Sequence, residues 1–405
     1  MKILILYHSN VFNKKPGADE HIHTTAKSLS GKNEVTLVTW GIGTSKILEE
    51  ETFKIVHFGK NMFNKNFSAT GKIPSFLRVS IAYLGFYYIL LLKNSGPSFS
   101  ELQKKYKEMP DIVIHIAYDN NKIARSFFRK LNVPVVEMAL VAGLPHYLKN
   151  VRDWTIFINQ KYPMYFKIFR FVFFLFNDLV SWLYVSSLSS QNVIAISNYD
   201  EYKLKSNDNL RVDYIPPILN YSSRNYIDIE RNNLVIFFSG KTFVSDIASK
   251  FIKKVAYELN HILFGITGFN PDIIDLKESP ANLKYYGYLN EEDFHKLLGG
   301  ASIVILPLIS GSGFQTKMAE ALCAGKPIIT TSVIIEEFPN LIDEKDVIIE
   351  DDPSRFVEKI KNLYENKQKQ QILSKNARSY YEKYFNAEYA LNHLENYLKK
   401  IKNVK

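Results

Sequence analysis

The stretch Ile305–Thr331, ILPLISGSGFQTKMAEALCAGKPIITT, decides how this chain folds. Its apolar opening, from Ile303, reads as a buried strand closed by Pro307. Gly311-Ser312-Gly313 then turns the chain, and glycine there permits a tight bend and lets a ligand approach the backbone closely. A helix begins at Gln315 or Thr316, so its unpaired first-turn N–H groups and positive dipole end face the turn. Strand, glycine turn and helix start together make an anion site, most naturally for a diphosphate. Glu320 lies one turn beyond Thr316 on the same face. A carboxylate there repels phosphate but accepts two hydrogen bonds from a vicinal diol such as a ribose. Gly325 supplies the C′ position that ends the helix, and Pro327 forbids its continuation. From these residues alone, a structural turn followed by a solvated glutamate remains the competing reading.

On either side, short apolar runs alternate with helical stretches, the pattern of a parallel sheet wrapped by helices. Strands are expected at 2–7, 34–39, 112–116, 133–137, 193–196 and 212–215, with a helix over 20–29. After Pro216-Pro217 the series restarts, with strands expected at 234–238, 261–267, 283–286, 303–306, 327–330 and 346–349. The chain is therefore expected to be α/β, with two Rossmann-like doubly wound domains, 1–217 and 218–386. Ligand belongs at the carboxyl ends of the strands. A final helix over 387–405, with Ala390, Leu391, Leu394, Tyr397, Leu398 and Ile401 on one face, is expected to return to the first domain.

The bulk properties agree with a globular chain of two domains: 405 residues, 46% hydrophobic and 23% charged. One cysteine, Cys323, excludes a disulfide framework and a cysteine-based zinc site. The opening MKILILYHSN is too short an apolar run for a signal peptide, so cytoplasmic residence is expected. The formal net charge is +10, yet no nucleic-acid motif accompanies it. The surplus is uneven, with eight basic residues against two acidic ones from Lys60 to Met109. Within and beyond that block lie two apolar, aromatic segments, Val79–Leu92 and Tyr162–Tyr184. The first has 14 residues, short of the roughly 20 that span a bilayer. Both read as core helices or as a basic, aromatic surface resting on an anionic membrane. His21 and His23 lie two apart on a helix, point to different faces and make a poor metal pair. Glu350-Asp351-Asp352 reads as a solvated acidic turn.

Residues Ser312–Pro327, with Tyr285–Leu308 (YYGYLNEEDFHKLLGGASIVILPL) before them, resemble the donor-site signature of the retaining glycosyltransferases of family 4, which have the GT-B fold. HSNVFNKKPGADEHIHTTAKSLSGKNEVTLVTW (8–40) is similar to that family's N-terminal glycine loop, helix and second strand. NVIAISNYDEYKL followed by VDYIPPILN is similar to the approach to its interdomain linker. The resemblance implies two Rossmann-like domains facing each other across a cleft. It implies that Glu320 binds the nucleotide ribose, and that Gly311, Ser312, Gly313, Phe314, Gln315 and Thr316 meet the diphosphate or donor sugar. Gly17 matches the N-terminal glycine loop, with Pro16 in place of its partner glycine. Gly240 ends the first strand of the second domain, and Lys241 stands where the family carries arginine. Lys241 and Lys317 are the implied stabilisers of the leaving diphosphate. The fuller signature has a second glutamate eight positions before Glu320, where this chain has Ser312. A histidine often found after the strand at 133–137 is absent; Glu137 is the nearest polar candidate for a catalytic role, with His146 beyond it and His115 at a neighbouring strand end.

The resemblance implies sugar transfer from a nucleotide-diphosphate sugar to a hydroxyl, with retention and with no metal and no cofactor. The expected acceptor is a glycan or a lipid-linked precursor. A non-catalytic partner subunit of a transferase, or a nucleotide-sugar epimerase, are the alternatives.

Overall fold

The computed structural model describes residues 1–7, 18–42, 45–60, 99–105, 109–116, 129–130, 132–139, 146–147, 151–158, 188, 190–219, 221, 226, 233–239, 243–268, 279–311 and 314–403. The chain divides into two compact units. One comprises Met1–Leu144, Phe176–Leu219 and Ala387–Lys405; the other comprises Pro145–Leu175 and Asn220–Asn386.

The chain opens with β1 (Lys2–Tyr7), α1 (Ala18–Ser30), β2 (Glu34–Ile42), β3 (Lys46–Glu49), β4 (Lys54–Lys60), α2 (Phe99–Lys105), β5 (Ile112–Ile116) and β6 (Val135–Ala139). Next come β7 (His146–Tyr147) and α3 (Val151–Phe157), which belong to the second unit. Strand β8 (Asn192–Ala195), helix α4 (Asn198–Lys205) and strand β9 (Arg211–Tyr214) then complete the first unit's sheet. Its order is β3-β4-β2-β1-β5-β6-β8-β9. All neighbours are parallel except the edge pair β3–β4. Helices cover both faces of such a sheet, so its central strands carry unbroken apolar runs. Accordingly every residue of β5 and β6 is buried, as are Ile3 to Tyr7 of β1.

The second unit continues with β10 (Leu234–Ser239), α5 (Phe243–Glu258), β11 (Leu263–Gly268), β12 (Leu283–Gly287), α6 (Glu291–Gly300), β13 (Ile303–Leu306) and β14 (Ser310–Gly311). It ends with α7 (Thr316–Cys323), β15 (Ile328–Thr330), α8 (Ser332–Ile335), β16 (Ile348–Ile349), α9 (Pro353–Glu365) and α10 (Lys367–Tyr384). Its sheet is parallel throughout, in the order β12-β11-β10-β13-β15-β16. That is the doubly wound order, reversing between β10 and β13, and ligands of such sheets sit at the carboxyl ends of the strands there. The last helix, α11 (Ala387–Asn403), packs on α1 in the first unit and buries Ala390, Leu394, Tyr397, Leu398 and Ile401. Polar contacts pin both its halves: Asn33 Nδ2 donates to Glu395 Oε1 at 3.2 Å, and Lys402 Nζ lies 3.0 Å from Asp111 Oδ2.

Several details depart from the sequence expectations. Strands β3 and β4, and the two-residue pair β7 and β14, were not anticipated. The strand expected at 261–267 begins at Leu263, because Asn282 Nδ2 donates to the carbonyls of Ala256, Leu259 and Ile262 and fixes the preceding residues as a turn. The strand expected at 346–349 shortens to two residues, since Asp346 Oδ2 accepts from Ile342 N–H at 3.0 Å and holds a loop instead. The acidic turn is also more than a solvated loop. Asp351 caps α8 through Ser332 N–H (2.8 Å), Asp352 caps α9 through Ser354 and Arg355 N–H, and Glu350 pairs with Arg355 at 2.9 Å. Residues 79–92 and 162–184 lie outside the described residues. Among the described residues no helix is long and apolar enough to cross a membrane.

Candidate functional site

The site assembles in the second unit at the carboxyl ends of β10 and β13, beginning with α7. Met318, Ala319, Ala321, Leu322 and Cys323 are fully buried and form its inner face, which leaves Thr316, Lys317 and Glu320 on the other side. Gln315 occupies the N-cap and its carbonyl accepts from Met318 and Ala319 N–H, but its side chain makes no cap hydrogen bond. No acidic residue stands in the first turn, so the positive end of the helix is not neutralised from within. At the far end Gly325 takes φ +60°, Gly325 N–H donates to Leu322 O and Lys326 N–H to Ala321 O. This is the paired C-terminal closure that glycine favours, and it fixes the length of α7.

Two side chains on this face are specifically held. Lys317 Nζ donates to Phe238 O at 2.7 Å, near the end of β10. Burial pulls its pKa down to about 8. The Glu320 side chain is only 12% exposed, so it is not a solvated surface group. Tyr226 Oη donates to Glu320 Oε1 at 3.1 Å, and His295 Nε2 of α6 lies 3.6 Å from the same oxygen. Tyr226 and His295 meet edge to face, with ring centroids 5.4 Å apart. Asn290 positions α6 by capping Asp293 N–H at 2.8 Å.

The approach to the glycine turn is fixed by a distant part of the chain. Ser310 and Gly311 pair antiparallel with Tyr147 and His146. A few residues on, Trp154 of α3 is fully buried and packs against Phe251 and Phe356. Its Nε1–H donates to Asp351 O at 2.7 Å.

Comparison with known proteins places this arrangement. Residues 235–366 match the family model described as glycosyl transferases group 1. No curated protein sequence matches the chain. Among solved structures, sucrose-phosphate synthase from Thermosynechococcus elongatus superposes with a TM-score of 0.69 at 12% identity, over 100% of both chains. A glycosyltransferase from Rickettsia africae gives 0.63 at 14% identity, over 100% of this chain and 99% of that one. Anabaena HepE in complex with UDP and glucose gives 0.63 at 14%, over 98% and 99%. The fold is GT-B, and the match to the group 1 family model falls within its second unit.

Within that GT-B frame the remaining candidates separate. The Phe314 ring packs at 5.2 Å from Phe338 and 5.3 Å from Phe385, so its side chain anchors the loop in an aromatic cluster. Glu137 sits in the first unit, in register with His115 on the neighbouring strand, and has no exposed surface. Its Oε2 lies 2.6 Å from His115 Nδ1. Gly17, Gly240, Lys241, Ser312 and Gly313 lie outside the described residues, and of His146 only the backbone is described. Two residues at the site, Tyr226 and His295, were not singled out by sequence reasoning. His295 carried a faint signal, standing four residues after Glu291 on a predicted helix; Tyr226 carried none.

Proposed function

We propose that the protein transfers a sugar from a nucleoside-diphosphate donor to an acceptor hydroxyl, with retention at the anomeric carbon and without metal. The observation that carries this reading is Glu320: one turn inside a helix whose Lys317 is held at Phe238 near the end of β10, and largely withdrawn from solvent. In this reading Glu320 grips the ribose. The N–H groups at the start of α7, with Lys317 and Lys241, bear the charge of the leaving diphosphate. The donor-binding role that the resemblance implies for Gly311 to Thr316, Gly240 and Gly17 belongs to the same reading. The bond between the anomeric carbon and the diphosphate oxygen breaks, the acceptor oxygen takes its place on the same face, and the acceptor proton passes to the departing phosphate. Glu137, buried against His115, is the carboxylate this reading assigns to the acceptor side. The acceptor is assigned to the first unit and is a glycan or lipid-linked precursor at the cytoplasmic face of an anionic membrane. The basic, aromatic composition around residues 60–109 supports that setting.

UDP, GDP and ADP, each with its sugar conjugates, test the donor half by thermal shift. A ligand at a hundred times its Kd stabilises the folded protein by about 2.7 kcal/mol. At least one of the three raises Tm, and Glu320→Ala weakens that ligand by about 10- to 100-fold, the worth of hydrogen bonds to a charged group. A wild-type protein whose Tm none of them moves overturns the reading.

A further inference from the structure

We infer that His295 is a second ribose-binding residue, its Nε2–H and the Glu320 carboxylate holding one hydroxyl of the donor nucleotide between them. The inference rests on the donor site proposed above and adds to it a residue on a different helix. His295 Nε2 is buried and has no hydrogen-bond partner among the described residues. Buried polar nitrogens in folded proteins almost always have one, so an orphan beside a ligand site marks where a ligand atom belongs. Two carboxylate oxygens face it, Glu320 Oε1 at 3.6 Å and Glu291 Oε1 at 3.9 Å, both beyond hydrogen-bond reach. Two carboxylates facing one ring nitrogen favour the tautomer that carries its proton there.

A gap of 3.6 Å is too long for a direct bond and well suited to a bridge. A hydroxyl oxygen about 2.8 Å from each atom closes a triangle on that side, accepting from His295 Nε2–H and donating to Glu320 Oε1. Such an oxygen must accept and donate at once, which a sugar hydroxyl does and a phosphate oxygen does not. Tyr226 completes the arrangement as a positioning residue. Its hydroxyl donates to the same Oε1 and its ring lies against His295, so both partners of the bridge are held by one side chain.

The test is calorimetric titration of the nucleoside diphosphate that wild type binds, beside its 2′-deoxy and 3′-deoxy analogues. His295→Phe keeps the ring packing against Tyr226 and Phe294 and removes the nitrogen. The variant loses about tenfold affinity for the ribonucleotide and none for one of the two deoxy analogues, so discrimination at that hydroxyl collapses. His295→Gln, which restores a donor, recovers part of it. Two outcomes overturn the inference: His295→Phe discriminating as wild type does at both hydroxyls, which is also the result if only water fills the gap, or a variant that weakens all three ligands equally. Failure of the wild type to bind any nucleoside diphosphate overturns the donor-site reading itself, and the two failures are thereby told apart.

Discussion

Lys317 combines a charge the proposed chemistry needs with a setting that resists it. Its ammonium is held against Phe238 O, and burial lowers its pKa to about 8, from an ordinary 10.5. Only the protonated form attracts a diphosphate. Donor affinity is therefore full below pH 8 in the free protein and falls as pH rises through that value, with a slope approaching tenfold per unit. The profile of KM for the donor against pH from 6.5 to 9.5 reads this out. Lys317→Arg, whose guanidinium stays charged throughout, flattens the profile even where it lowers turnover. A wild-type KM that stays level to pH 9.5 would remove Lys317 from the diphosphate site. The sequence placed Thr316 and Glu320 on one helix face, because 3.6-residue periodicity is a local property. It could not place Tyr226 or His295 against Glu320, since that contact spans 94 residues for the tyrosine and depends on how β10, β12 and β13 are ordered.

Helix α3 and strand β7 show the same limit in an element. Val151–Phe157 is 7 residues long and His146–Tyr147 is 2, too short for any period to declare their partners. The central strands β1, β5, β10 and β13 were legible because a parallel strand buried on both faces must be apolar throughout. The pairing of β7 with β14 is set instead by where Trp154 lodges. Its ring lies 4.7 Å from Phe251 and 5.6 Å from Phe356, while Lys254 Nζ stands 4.2 Å over the neighbouring Phe157 ring. Trp154→Ala opens a cavity between α3, α5 and α9 and costs about 3–5 kcal/mol by denaturant titration. Trp154→Phe keeps most of the packing, strands the Asp351 carbonyl and costs about 1–3 kcal/mol. Because β7 pairs with the two residues that lead into the glycine turn, both variants also raise the donor KM, alanine more than phenylalanine. Loss of stability with an unchanged KM would show that β7 and α3 bear on the second unit's core and not on its ligand loop.

At the scale of the whole molecule, the first unit is stitched from three separated parts of the chain, and His21 lies where two of them meet. The imidazole is buried on α1, close to the Ile218 backbone at the end of the second part, while α11 from the third covers the same helix. Burial lowers the His21 pKa to about 4 from 6.5, with the Ile218 backbone interaction working in the opposite direction. The sequence marked His21 only as a poor metal ligand, since nothing local says that residues nearly two hundred positions later will close over it. The unfolded chain takes up a proton at this residue near pH 6.5, and the folded chain does not until near pH 4. Its contribution to stability is therefore complete above pH 6.5 and is lost progressively as pH falls from 6.5 to 4. The loss amounts to roughly 3 kcal/mol, at about 1.36 kcal/mol for each unit of difference. Urea unfolding at pH 7.5 and pH 4.5 measures it, with His21→Phe as the reference that cannot titrate. The difference between wild type and variant shrinks or reverses at pH 4.5, because only the wild type must bury a group that its unfolded chain holds protonated. Should the two proteins lose stability in parallel across that range, the burial of His21 is not what acid acts on, and the carboxylates of the fold carry the effect alone.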